Sequence, residues 1–297
     1  MKDEWVRATA RNGYLRAVGV VNTTAVAMAQ RRHQLSHVAT AALGRVMSAS
    51  LLLASNFKEP QARLSVQVHG NGALGKIYAD AGANGTVRGY VQHPEVELPL
   101  NSSGKLNVAE AVGQSGYVHV TRDLGEGTPY TSTVELVTGE IGTDMTHYLA
   151  MSEQTPSVML LGEVMEWQRV RLSGGILVQL MPGYPEELVG RMEEWVAFAP
   201  VFTTLLADGQ PMADVLLALL ADFESYLLPP LPNPRFHCPC SVSRVLNALK
   251  MLGSLELRDM IASDGGAEAT CQFCNEVYRI PATELEKLVA DLELAPS

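Results

Sequence analysis

The sequence predicts an α+β fold in three parts. They are an N-terminal core domain of mixed antiparallel sheet and helix (residues 1–183), a helical linker with a Pro-rich spacer (184–234) and a small C-terminal domain (235–297). Three observations carry this division. Short β-prone runs separated by Asn-Gly and Gly-rich turns alternate with helical patterns in no regular βαβ order. Strong punctuation falls at Met181-Pro182-Gly183-Tyr184-Pro185 and at Pro229-Pro230-Leu231-Pro232-Asn233-Pro234. All four cysteines of the 297-residue chain lie after the second of these breaks.

In chain order, residues 14–21 read as a first strand. Residues 31–57 follow as one helix, because Leu35, Val38, Ala42, Val46, Ala49 and Leu53 recur at three- and four-residue steps and give a wide buried face. Residues 66–68, 76–79 and 86–91 are strand-like, and the turns Gly70-Asn71-Gly72 and Asn84-Gly85 between them predict an antiparallel meander. Residues 117–121 and 130–136, divided by Gly125-Glu126-Gly127, predict a further hairpin. A helix over 142–153 and paired strands over 158–165 and 169–180 complete the core domain.

Beyond the first break the chain becomes helical, acidic and apolar. Leu188, Met192, Trp195, Val196 and Ala199 share one helical face, and Pro211 opens a second helix carrying Val215, Leu216, Leu219 and Phe223. The prolines at 229–234 form a stiff spacer, since their fixed φ and missing N–H groups forbid regular structure. The last sixty residues predict helices over 242–252 and 284–292, the latter with Thr283 and Glu286 in capping-box spacing. Residues 269–271 and 276–280 read as the arms of a hairpin.

Composition excludes several function classes. An apolar fraction of 47% with 18% charge is that of a folded chain, not a disordered one. The charge-free stretches 17–30 and 172–185 are too short and too polar to span a bilayer, so a soluble, cytoplasmic protein with no membrane partner is expected. The net charge of −10 is unevenly placed. Residues 1–183 carry 15 basic against 15 acidic side chains, 184–237 carry 2 against 8, and 238–297 carry 5 against 9. Nucleic-acid binding draws on cationic groups that displace phosphate counterions, so this acidic end argues against a zinc-ribbon nucleic-acid binder. No phosphate-binding Gly-rich loop, nucleophile elbow or carboxylate pair supports an enzyme. His33 and His37, four apart, lack the carboxylate companion of a helical metal motif and read as ordinary helix residues.

The chemistry concentrates in Cys238-Pro239-Cys240 and Cys271-Gln272-Phe273-Cys274. A unit of about 60 residues has a marginal core and commonly needs a metal or disulfides as a staple. Stable disulfides are disfavoured in a cytoplasmic chain, which leaves one zinc ion held tetrahedrally by Cys238, Cys240, Cys271 and Cys274. The site is either a permanent structural zinc or a reversible switch. Cys-x-Cys favours the switch, because a disulfide across one residue closes a small strained ring that is easily reduced. A thiol–disulfide oxidoreductase would place Cys271 at a helix N-terminus, whereas residues 275–280 read as a strand.

These residues resemble the redox-regulated 33 kDa chaperonin family of bacteria, from about Asn12 to Leu288. The strongest matches are Phe236-His237-Cys238-Pro239-Cys240-Ser241, Cys271-Gln272-Phe273-Cys274 and Tyr278. Ala42-Leu43-Gly44-Arg45, Val87-Arg88-Gly89-Tyr90, 134–141, 148–154 and Gly174-Gly175 support them. The resemblance implies a molecular chaperone, an ATP-independent heat-shock holdase with a C-terminal zinc-binding domain, which is inactive when reduced and zinc-bound. It further implies that oxidation pairs Cys238 with Cys240 and Cys271 with Cys274, releases zinc, produces a homodimer and lets the protein hold unfolding clients. The physical logic is that thiolates are what oxidants attack, and that zinc supplies on the order of 10 kcal/mol to a small domain. Its loss should unfold residues 238–297 and free an apolar linker surface formed by Trp195, Val196, Phe198, Phe202, Leu205 and Leu206.

Overall fold

The computed structural model describes residues 2–10, 12–198 and 201–294, with the side chains of residues 197 and 198 outside the description. The chain forms two compact units, residues 1–237 and 238–297.

The first unit begins with β1 (Glu4–Ala10) and β2 (Leu15–Val21), then α1 (Thr23–His33) and α2 (His37–Ala54). The meander follows as β3 (Arg63–Gly70), β4 (Lys76–Gly82) and β5 (Thr86–Val91). After α3 (Val108–Val112) come β6 (Gly116–Asp123), β7 (Tyr130–Glu135), α4 (Gly142–Ser152), β8 (Ser157–Glu166) and β9 (Arg169–Leu180). The linker supplies α5 (Glu187–Phe198), α6 (Phe202–Ala207), α7 (Met212–Leu219), and two short strands, β10 (Ser225–Leu227) and β11 (Arg235–Phe236). A five-stranded sheet runs β10-β1-β2-β9-β8 and a six-stranded sheet runs β11-β5-β4-β3-β6-β7. Every pairing is antiparallel except β11 on β5.

Helix α2 lies against strands of both sheets and is the spine of the core. It is long and apolar enough to cross a membrane by length and composition, yet it is almost wholly buried inside the fold. Its one charge, Arg45, pairs with Glu163 on β8 at 3.1 Å and with Glu140 ahead of α4. Burial, eased by Arg45 and aggravated by Glu140, pushes the Glu163 carboxyl up to about 7.

Two features differ from the sequence reading here. The single helix expected over 31–57 is two helices, broken where Gln34 adopts a left-handed conformation at φ 52°. The residue-level reason is Ser36, whose side chain caps α2 by accepting from the Ala39 N–H, so the chain restarts a helix there. The strand over 14–21 is second in its sheet, preceded by β1, whose Glu4 and Arg7 hid the strand pattern.

The second unit contains α8 (Val242–Lys250), α9 (Ser254–Asp264), the hairpin β12 (Gly266–Thr270) and β13 (Val277–Pro281), and α10 (Ala282–Leu294). Helix α10 starts at Ala282, so Thr283 sits in its first turn and not at a cap. The core of this unit is small: Leu249, Leu257, Ile280, Leu285, Leu288 and Val289 are its buried apolar side chains.

Candidate metal centre and linker surface

Two turns deliver the cysteines. Cys238 and Cys240 lie in the extended stretch that precedes α8, whose N-cap Ser241 accepts from the Arg244 N–H and fixes where the helix begins. Cys271 and Cys274 occupy the turn of the β12–β13 hairpin. There the Cys271 N–H donates to the Glu276 carbonyl at 2.9 Å, and the Cys271 carbonyl accepts from the N–H groups of Cys274 and Asn275 at 3.3 and 2.7 Å. Asn275 closes the turn in the left-handed region, φ 56°, where Asn is better tolerated than most residues.

The four Sγ atoms lie within 4.8 Å of one another, and none of the four cysteines is in a disulfide. Across the two turns, Cys238 approaches Cys271 at 3.7 Å and Cys240 approaches Cys274 at 3.3 Å. Four sulfurs at about 2.3 Å from a central zinc stand about 3.8 Å apart at tetrahedral angles. The donor set and its spacing therefore fit a tetrahedral divalent ion. Cys274 is buried and the other three are half-buried, so the site is shielded but reachable.

Electrostatics favour the same occupant. Burial pushes the Cys271 and Cys274 thiols up, and the neighbouring sulfurs add to the rise at Cys274. Without a cation the cluster therefore resists ionising, whereas a bound divalent ion inverts that preference and holds thiolates. The Tyr278 hydroxyl donates to the Cys240 sulfur at 3.0 Å, a supporting contact from β13 whose role spacing alone did not disclose. His237 stands outside the group of metal-ligating side chains formed by the cysteines. His37 is half-buried and bridges Glu97 and the Trp167 carbonyl, and His33 also has partners.

The linker side chains fall on a second site. Phe202 and Leu206 are fully buried, Trp195 and Leu205 are half-buried, and Val196 is exposed. The Phe198 side chain lies outside the described residues. Trp195, Phe202, Leu205 and Leu206, with Leu188, Met192, Met212, Val215, Leu216 and Leu219, cover one face of the five-stranded sheet. Helix α6 lies against β8 and β9, and α7 against β1 and β2. Two glycines permit this approach. A Cβ on Gly19 would meet the Met212 side chain at 2.6 Å, and one on Gly162 would meet Thr203 Cγ2 at 2.7 Å. Neither glycine was singled out from the sequence, although a glycine inside a strand signals close approach. The Trp195 indole N–H donates to the Leu219 carbonyl and ties α5 to α7.

A family profile described as Hsp33 protein matches residues 3–281. Among curated relatives, a 33 kDa chaperonin of Synechococcus sp. (strain JA-2-3B'a(2-13)) is 53% identical over 296 residues, covering 100% of this chain and 93% of the relative. One from Thermosynechococcus vestitus is 54% identical over 297 residues, covering 99% of each. The crystal structure of the 33 kDa chaperonin of Thermotoga maritima superposes with a TM-score of 0.87 at 34% identity, covering 97% of this chain and 98% of that one.

Proposed function

The chain belongs to the Hsp33 family of 33 kDa chaperonins, and on that premise we propose that it is an ATP-independent holdase governed by the oxidation state of its four cysteines. In the resting state Cys238, Cys240, Cys271 and Cys274 hold one zinc ion as thiolates, which fits a reducing compartment such as the cytoplasm. Peroxide takes two electrons from each cysteine pair. Cys238–Cys240 and Cys271–Cys274 become disulfides, each peroxide breaks its O–O bond and, with two protons taken from solvent, leaves as two waters, and the zinc loses its ligands.

The observation that carries the reading is the pairing of a fitted four-sulfur cluster with a very small core in residues 238–297. The chain passes into Cys238 directly from β11. Loss of the metal unfolds the second unit and releases α5–α7 from the sheet. Trp195, Phe202, Leu205 and Leu206 then join Val196 on an apolar surface for unfolding clients, and Phe198 belongs to the same segment. The eight acidic residues of 184–237 keep that surface soluble. The activated form is a homodimer. The cysteines are sensors, so insulin reduction shows no turnover.

The test follows zinc release with a metal-binding dye during peroxide treatment, together with suppression of aggregation of a denatured protein. Both begin together. Suppression that precedes zinc release, or release without suppression, refutes the coupling.

A further inference from the structure

Natural sheets blunt their edges because unpaired backbone groups recruit other strands. Among the described residues the first unit has four edge strands, and three of them are blunted. Strands β10 and β11 are only three and two residues long, and β8 is flanked by α4, whose Thr146 hydroxyl accepts from the Met159 N–H at 3.0 Å. The remaining edge is β7. Leu136 donates to the Gly116 carbonyl at 2.9 Å, and Tyr117 stands opposite Glu135. By antiparallel alternation, Leu136, Val134 and Ser132 bond inward to β6, and the N–H and C=O groups of Thr131, Thr133 and Glu135 point away from it. None of these outward groups has a backbone partner among the described residues.

The strand is built for pairing. Tyr-Thr-Ser-Thr-Val is β-prone and has none of the usual protection, neither Lys nor Pro, with Glu135 its only charge. The cross-strand pairs Thr121–Thr131 and His119–Thr133, each at 2.8 Å, hold it straight against β6. A groove of about 630 Å3 runs beside this edge, between β7 and the His147, Met151 and Ser152 face of α4. Met151, 63% exposed, is the largest apolar side chain on the α4 side of the groove.

We propose that the free edge of β7 is a second client site, which binds an extended segment of unfolded polypeptide by strand addition; this deepens the holdase reading and rests on it. Main-chain hydrogen bonds supply affinity without a sequence requirement, while Met151 receives an apolar side chain from the added strand. A single extended chain suits the groove better than a second copy of this protein. Antiparallel β7–β7 pairing about a two-fold axis normal to the sheet brings both α4 helices to the same side of the junction.

The experiment measures binding of the peroxide-oxidised full chain to fluorescent, reduced and carboxymethylated α-lactalbumin, which is permanently unfolded. Thr133→Pro removes an outward N–H and leaves the β6 ladder intact, so binding weakens about tenfold, the loss of one backbone hydrogen bond without replacement. Thr133→Val binds as the parent does. In the parent, hydrogen exchange at Thr131, Thr133 and Glu135 slows when the probe binds. Unchanged amide exchange on binding overturns the proposal, as does parental affinity in a natively folded Thr133→Pro variant. Should that variant misfold, amide exchange in the parent decides alone. Protection of those amides in concentrated protein without probe assigns the edge to a second copy and also overturns it. Failure of the edge alone leaves client capture by the linker standing, whereas an oxidised parent that binds no unfolded probe removes the holdase reading itself.

Discussion

The two units of this chain solve the same stability problem by different means. Residues 1–237 wrap two sheets around α2 and bury a continuous apolar core that includes Leu43, Leu51, Leu52, Leu53, Ile77 and Tyr148. Among the described residues of 238–297, one cluster of six apolar side chains is buried and four sulfurs gather around one point. Apolar burial cannot be withdrawn by a change of solution redox state, whereas ligation by thiolates can. On the proposed mechanism the sensor lies in the unit whose own core is thin, and the client-binding surface on the unit with the larger core.

The largest effect that tests this contrast comes from the metal. Cys274→Ser, or chelation of the reduced protein, should cost the second unit on the order of 10 kcal/mol and unfold it, leaving the first unit folded. Amide NMR or limited proteolysis reads the two units separately. Retained protease resistance in 238–297 breaks the comparison. Leu52→Ala in the first unit should cost about 2–5 kcal/mol and lower its melting temperature without unfolding it, because the rest of that core remains.

A smaller change sharpens the link between the units. Gly162→Val drives a side chain into Thr203 on α6 and should cost about 1–3 kcal/mol in linker docking. Partial client capture is expected from the reduced, zinc-loaded variant, read as suppression of aggregation without peroxide. A parental zero would mean that the linker is not what covers the surface.

The smallest effect concerns pH. Folding raises the Glu163 carboxyl to about 7 from an ordinary value of 4.5, so between these values the folded state holds a proton that the unfolded state lacks. Stability from this group therefore falls as pH rises through that window, by about 1 kcal/mol per pH unit, and is gained on acidification. The parent should gain on Glu163→Gln as pH drops from 7 to 5. A pH-independent difference between their melting temperatures refutes the shift.

Much of this was legible in the sequence, for local reasons. The meander was readable because Asn84-Gly85 and the glycines around Asn71 encode turns directly. The cysteine cluster was readable because its two pairs are close in sequence and few in number. The break at Gln34 was not, since no Gly or Pro marks it and the left-handed φ is imposed by the restart of α2 at Ser36. Helix α9 was also missed, as its apolar positions show little one-sided pattern and only Leu257 is fully buried. The roles of Gly19 and Gly162 exist only once α6 and α7 lie on the sheet, and the open edge of β7 only once the strand order is known.

Strands β9 and β10 hold both ends of the linker on the same sheet. A linker that lets go is therefore a closed loop, and returning to its seat is an intramolecular event at high effective concentration. Any client resting on that sheet competes with an occupant tethered beside it. On the proposed mechanism, reduction of the cysteines and return of the metal need no nucleotide to eject the client, because the chain's own helices act as the displacing ligand.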